Sequence, residues 1–347
     1  MSPSLHALAA RAAVPVEVAP SGHPLLVPAD EAALARALDA LAQAGQPLRL
    51  EGFDDDAGPA VSLAAFSRVI GVRADDGVAV VEPGVRWSTL QAALAAAGFE
   101  SPVRPTPGLD VTVLALASGR APFRAFHPFG ARADWVRDLR LVTPAGTVVR
   151  SPYAPRRATG PELRLPALVL GAAWGVPTSL TVRVLPASPH ETRALDLSGP
   201  DALGALERLG RSDDEASFLA EARLSARSAR LCLTWRQATL REPPDELWSP
   251  ATPVEPEPCA SGPTVTVRAP WGDATAAWLT DLTRARRGAK ARDVRLWGPD
   301  RQGVYVELPG AGSVAEAAAA GLLPPGLATR TERLAALRTL LTGGGAA

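Results

Sequence analysis

The first stretch equipped for binding chemistry is GFDDDAGP, residues 52–59, a glycine-led loop that follows the strand-like residues 47–51. A loop of this kind offers successive backbone N–H groups to an anion such as a phosphate. Gly52 and Phe53 open it, but Asp54, Asp55 and Asp56 fill it. Each carboxylate repels a phosphate charge by about 1 kcal/mol at about 4 Å even in bulk water. Two readings stay open: a phosphate loop weakened by its own acidic run, and a solvated turn. Metal binding would need further ligands, and no cluster of them accompanies the aspartates.

His127 lies in RAFHPFG, residues 124–130, directly before Phe129 and Gly130. A histidine there suits general-base work, or else packing among the neighbouring aromatics. Arg120 and Arg124 carry forks that match a carboxylate or phosphate, or they belong to a solvated or partner-facing loop. His190 is the only histidine after His127. Cys232 and Cys259 are the only cysteines, too few for an iron–sulfur cluster, a zinc ribbon or a disulfide scaffold. Any relay of electrons through metal would therefore need another chain.

The elements that position these residues follow from local patterns. Asp30 stands as N-cap to a helix in which Leu34, Leu38 and Leu41 share one face before Gly45 ends it. Residues 78–82 read as a strand closed by Pro83-Gly84, and Ser88 with Gln91 forms a capping box for the next helix, which ends at Gly98. Residues 138–143 and 147–150 form a hairpin around Pro144-Ala145-Gly146. Residues 167–186, ALVLGAAWGVPTSLTVRVLP, run from an apolar segment through a turn at Gly171–Gly175 into a strand. Its alternation of Thr181 and Arg183 with Val182 and Val184 matches a half-buried sheet edge.

From Ser188 the composition shifts. A helix at 203–209 and strands at 218–223 and 229–235 precede a Pro- and Glu-rich loop at 242–259. A strand at 264–268, a helix at 272–286 and strands at 293–297 and 304–308 follow. Short strands around helices make an α+β layer. Trp235, Trp248, Trp271, Trp278 and Trp297 read as core or subunit interface. Trp248, in the Pro-rich loop, is the expected interface anchor.

The chain is 347 residues long, 47% hydrophobic and 21% charged, enough for a buried core and about two domains. Lys+Arg and Asp+Glu both number 36, so no net field favours nucleic acid or an anionic membrane surface. The N-terminus has no basic start leading into a sustained apolar core, and no run approaches about 18 apolar residues. A cytoplasmic protein without a transmembrane segment is expected.

The stretches at 76–94 (DGVAVVEPGVRWSTLQAAL), 134–149 (DWVRDLRLVTPAGTVV) and 167–186 together resemble the FAD-binding domain of the p-cresol methylhydroxylase and vanillyl-alcohol oxidase type flavoproteins. Within that superfamily the likeness is greatest to the smaller FAD-linked subunit of the glycolate oxidase complex. The resemblance implies an α+β protein: a two-subdomain FAD-binding domain over 17–187, then a smaller α+β cap domain over 188–347. It places the first phosphate loop at Gly52, Phe53, Asp54 and Asp55, and the second over residues 105–119, with Pro107, Gly108, Thr112 and Ala115. Further cofactor positions fall on Gly130, Gly175, Val176 and Thr178.

Glycines of the family pattern fall here on Leu114, Ala115, Val169 and Ala172. A side chain at such places blocks the close approach that glycine permits. The family's covalent-attachment histidine would lie in the first loop, where this chain has aspartates, so FAD is expected to be non-covalent and weakly held or lost. The resemblance thus implies an accessory subunit of an FAD-linked 2-hydroxy-acid oxidase or dehydrogenase of the glycolate type, partnered by flavin and iron–sulfur subunits. A competent FAD-dependent oxidoreductase and a cofactor-free structural subunit are the alternatives, and no residue of the cap identifies a catalytic base.

Overall fold

The computed structural model describes residues 5–19, 22–46, 49–51, 60–105, 108–118, 121, 123–126, 135–150, 164–171, 174–211, 218–225, 228–237, 252–253, 264–270, 273–285, 294–300 and 303–309. It divides into two compact units, Met1–Phe123 with Ala131–Ala187, and Arg124–Gly130 with Ser188–Ala347.

The first unit opens with α1 (Leu5–Ala12), β1 (Val16–Val18), β2 (Pro24–Leu26) and α2 (Glu31–Gln43). Asp30 caps α2 as its sequence suggests: the backbone is extended and the carboxylate accepts from Ala33 N at 2.7 Å. Leu34, Leu38 and Leu41 are buried on one face, and Gly45 leaves the helix at φ +63°. β2 pairs antiparallel with β1 and parallel with β3 (Ala60–Val61).

A second sheet takes its strands from distant parts of the unit. β4 (Val69–Arg73), β5 (Val78–Val81), α3 (Trp87–Ala96), β6 (Phe99–Glu100), β7 (Val103–Pro105) and α4 (Val113–Ser118) lead to β8 (Phe123–Ala125). Then come β9 (Val136–Val142), β10 (Val148–Arg150), α5 (Arg164–Leu170), β11 (Val176–Arg183) and β12 (Leu185–Pro186). The sheet order is β10-β9-β11-β5-β4, antiparallel throughout. The hairpin of β9 and β10 is as expected.

Two local expectations are corrected. β11 is not a half-buried edge but the central strand, with six of its eight residues buried, Thr178 and Thr181 among them. Its alternation of polar and apolar types is therefore not the mark of a face left to water: the Thr178 hydroxyl donates to Glu31 at the start of α2. Ser88 and Gln91 form no capping box either. The N-cap of α3 is Arg86, without a side-chain cap bond. Asp110, 22 residues on, accepts instead from Ser88 N at 2.9 Å and from Ser88 Oγ at 3.0 Å, so a distant carboxylate supplies the favourable charge at the helix start.

The second unit is built on one seven-stranded antiparallel sheet. Its elements are β13 (His190–Leu197), α6 (Gly199–Arg211), β14 (Phe218–Leu224), β15 (Ala229–Arg236), β16 (Thr252–Pro253), β17 (Thr264–Pro270), α7 (Asp273–Ala285), β18 (Val294–Asp300) and β19 (Gly303–Pro309). The order is β16-β13-β15-β14-β18-β19-β17. α6 and α7 join one face of the sheet in a core that includes Leu206, Leu209, Leu231, Leu233, Trp278 and Leu282. Trp235 and Trp278 are core residues, while Trp248 and Trp271 lie outside the described residues. β13 was not evident in the sequence, because Glu191, Arg193 and Asp196 dilute its apolar content.

Helix α2 is tied across the sheet of the first unit by a polar cluster. Arg140 of β9 donates to both carboxylate oxygens of Glu31, at 2.7 and 2.5 Å, and Thr178 Oγ1 donates to Glu31 Oε2 at 2.7 Å. The Arg140 hydrogen bond holds the Glu31 carboxyl below the usual carboxylate range against an opposing effect of burial, with Thr178 adding to it. The stability from a depressed carboxyl is complete above its unfolded pKa of about 4.3 and is lost as pH falls through the lower folded value. Arg140 is about half exposed, so solvent screens the pair. Glu31→Gln is expected to cost about 1 kcal/mol or less at neutral pH. The gap between wild type and variant should narrow in urea titrations as pH falls below about 4.3; a gap that does not change with pH would place the contribution elsewhere.

Gly175 closes the turn before β11, where its N–H donates to Gly171 O at 3.3 Å. Its φ is not positive, so the demand for glycine is one of space. A Cβ would stand 2.7 Å from Leu141 Cδ1 and 3.0 Å from Val142 O. The leucine tip can rotate away, but the sheet carbonyl cannot. Gly175→Ala or Gly175→Leu is expected to cost about 1–3 kcal/mol through overpacking. An unchanged melting temperature would contradict this.

Candidate functional site

Two turns of the first unit carry the described positions to which the resemblance assigns a cofactor role. One leads into α4 and the other into β11. Of the expected positions, Gly52, Phe53, Asp54, Asp55, Pro107 and Gly130 lie outside the described residues, as do Arg120 and His127. Gly108, Thr112, Ala115, Gly175, Val176 and Thr178 lie within them.

The α4 turn is held shut by its own hydrogen bonds. Arg86 and Thr112 form an isolated antiparallel bridge, with Trp87 N donating to Val111 O at 2.9 Å and Val113 N donating to Val85 O at 2.8 Å. Leu114 N donates to Pro83 O at 3.1 Å, Ala115 N to Thr112 Oγ1 at 3.2 Å, and Leu116 N to Thr112 O at 3.1 Å. Every backbone donor from Val113 to Leu116 thus has a protein acceptor. The Leu114 side chain is buried at 5% exposure, so it fills core volume. Gly108 is required by its φ of +84° and by nothing else, since a Cβ there would meet no atom within 4 Å.

The β11 turn is likewise committed to the fold. Val176 is fully buried. Thr178 is 5% exposed and spends its hydroxyl on Glu31, with Arg140 O a longer acceptor at 3.4 Å. α5, which leads into this turn, packs against α4. The two turns therefore rest on adjoining helices, and the described donors named above bond within the protein.

These features test the fit of a flavin. A pyrophosphate seated on the α4 turn needs N–H groups that point outward, and the four from Val113 to Leu116 already hold carbonyls or the Thr112 hydroxyl. Breaking such a bond leaves a buried acceptor short, at about 1–3 kcal/mol. The α4 turn does not fit the phosphate-cradling role.

In the second unit, residues 124–126 contribute side chains to the sheet. Arg124 forms an ion pair with Glu221 of β14, both largely buried. The Arg124 charge is therefore matched within the protein, which replaces both sequence readings of it, the anion site and the solvated loop. Phe126 is fully buried, with its ring 5.3 Å from that of His190 and 5.9 Å from the Arg236 guanidinium. A cation over a ring face is attractive, and Arg236 is itself 6% exposed. His190 opens β13 opposite Arg236 and serves this packed group. Sequence reasoning missed Glu221, Arg236 and Asp110 because each acts on a partner far along the chain.

Comparison with known proteins agrees with this architecture. Residues 24–151 match the FAD binding domain family. A stretch of 143 residues is 29% identical to the mitochondrial D-lactate dehydrogenase [cytochrome] of Arabidopsis thaliana, covering 40% of this chain and 24% of that protein. The match thus spans about a quarter of the relative's length. Xylooligosaccharide oxidase from Myceliophthora thermophila C1 superposes with a TM-score of 0.63 at 14% identity, over 97% of this chain and 96% of that one. 4-Ethylphenol oxidase from Gulosibacter chungangensis gives 0.59 at 14% identity, over 82% and 74%. At these identities the structural likenesses speak for the fold, which is the α+β arrangement expected from the sequence. Residues 24–151 are thus similar to the FAD binding domain family, in a chain whose α+β fold matches those of FAD-linked oxidases over most of its length.

Proposed function

We propose that this chain is an accessory subunit of an FAD-linked 2-hydroxy-acid oxidase or dehydrogenase complex of the glycolate type, acting in the cytoplasm, in which flavin is held weakly or not at all by this subunit. The observation that carries the reading is the α4 turn, whose donors from Val113 to Leu116 are all engaged and whose Leu114 is packed into the core. A subunit that keeps the oxidase fold while spending its cofactor turn on its own stability contributes architecture. The substrate class rests on the similarity to a D-lactate dehydrogenase, since lactate and glycolate are both 2-hydroxy acids. Flavin and iron–sulfur subunits are the partners, because two cysteines cannot ligate a cluster here.

The purified chain is expected to show a visible absorbance spectrum with far less than one flavin per chain, and acid precipitation should release whatever colour it has. It should not oxidise glycolate with added FAD, and activity should appear only when flavin and iron–sulfur subunits are co-expressed and recovered with it. A monomer that carries stoichiometric flavin and oxidises glycolate alone would overturn the proposal in favour of a competent oxidoreductase.

A further inference from the structure

β10 stands at the end of the first unit's five-stranded sheet, three residues long and paired with β9. Its last pair sets Arg150 opposite Arg140. Opposed residues of an antiparallel pair lie about 5 Å apart at Cα, and like charges so placed weaken the pairing. Arg140 is held by Glu31 through both carboxylate oxygens. Arg150 instead reaches diagonally to Asp138, whose Oδ2 accepts from Nη2 at 3.3 Å and from Nε at 3.4 Å. This end of the strand is thus fastened by two long bonds from a side chain that is 60% exposed.

Asp138 itself is 3% exposed, and its Oδ1 is buried with no donor in hydrogen-bonding geometry. A buried carboxylate needs close donors to stay charged, because desolvation disfavours the ionised form. Among the described residues, the charges that act on it are Arg150 of β10 and Arg164 of α5, and Arg164 directs its Nη1 to Val136 O at 2.6 Å. Thr181 of β11, its register partner, is neutral. Arg140 lies two residues on along β9, already committed to Glu31 of α2. Burial accordingly pushes the Asp138 carboxyl above its usual range, against the smaller pulls of Arg150, the Leu139 amide and Arg164.

We propose that Asp138 is a proton-operated latch on β10: the neutral acid lets the strand lie closed, and ionisation lifts its Arg150 end so that water reaches the carboxylate. The step is the loss of one proton from the Asp138 carboxyl to solvent. Arg150 is the exposed member of the pair, so opening at its end of the edge strand hydrates the charge while β11 stays paired on both sides. A carboxyl whose pKa is raised in the closed form stabilises that form at low pH, and the stability is lost as pH rises through the closed-form value. The like charges of Arg140 and Arg150 favour the same opening. The attraction between Arg150 and Asp138 opposes it only weakly, since solvent screens the exposed guanidinium. The latch is independent of the function proposed above and needs no flavin.

Hydrogen–deuterium exchange of the full chain, converted to protection factors so that the intrinsic pH dependence is removed, tests this. Protection of the segment Val148–Arg150 is expected to fall about threefold or more between about pH 4.5 and about pH 8, while β11 at the sheet centre keeps its own. Asp138→Asn, uncharged at every pH, should hold the high protection throughout. Should Asp138→Asn fail to fold, Asp138→Ser, likewise uncharged, takes its place. Protection of β10 that does not change with pH in wild type, that rises with pH, or that falls equally in the uncharged variant would each overturn the latch.

Discussion

The first unit depends on the burial of β11 between β9 and β5. A strand paired on both sides has every ladder group satisfied and can afford to lose water on both faces, as parallel-sheet interiors usually do. Six buried residues in a run of eight make it the place where the sheet is least able to yield. Its two neighbours come from residues 78–81 and 136–142, both earlier in the chain, so this strand closes two long loops at once. The turn that delivers it, ending at Gly175, must pass close against the Leu141 side chain and the Val142 carbonyl.

From that constraint the polar clusters follow. Hydroxyls within a buried strand need partners, because an unpaired polar group away from water costs about 1–3 kcal/mol. Thr178 finds Glu31, and Glu31 in turn holds Arg140, so one hydroxyl anchors the start of α2. The same requirement governs the α4 turn. With Leu114 seated in the core, the backbone around it is drawn close to Pro83 and Val85, and its N–H groups bond their carbonyls. Packing and cofactor chemistry compete for the same donors, and here packing holds them.

The second unit separates these demands by face. Helices α6 and α7 take the apolar side of the sheet, with Trp235 and Trp278 within it. The other side gathers charge. Arg124 with Glu221 and Arg230 with Asp196 are matched pairs. Asp196 is held below the usual carboxylate range by the Arg230 hydrogen bonds. A sheet divided in this way can change its polar face without disturbing its core, which is how a shared fold accommodates different ligands.

Much of the architecture was legible in the residue order. The α2 cap at Asp30, the leucine stripe at 34, 38 and 41, the β9–β10 hairpin at Gly146, and most strands of the second unit follow from signals spanning fewer than about ten residues, where steric and hydrogen-bonding preferences act directly. The resemblance carried by residues 76–94, 134–149 and 167–186 extended this to the fold. What only the tertiary structure decided involves partners distant in the chain. The Asp110 carboxylate caps the α3 start in place of a Ser88–Gln91 box, β11 moves from edge to centre, and β13 emerges despite its charged residues. The register that aligns Arg230, Arg223 and Arg295 is also of this kind. Sequence periodicity tells which residues share a face of one strand; which strands become neighbours, and in what register, is set by the burial of the whole sheet.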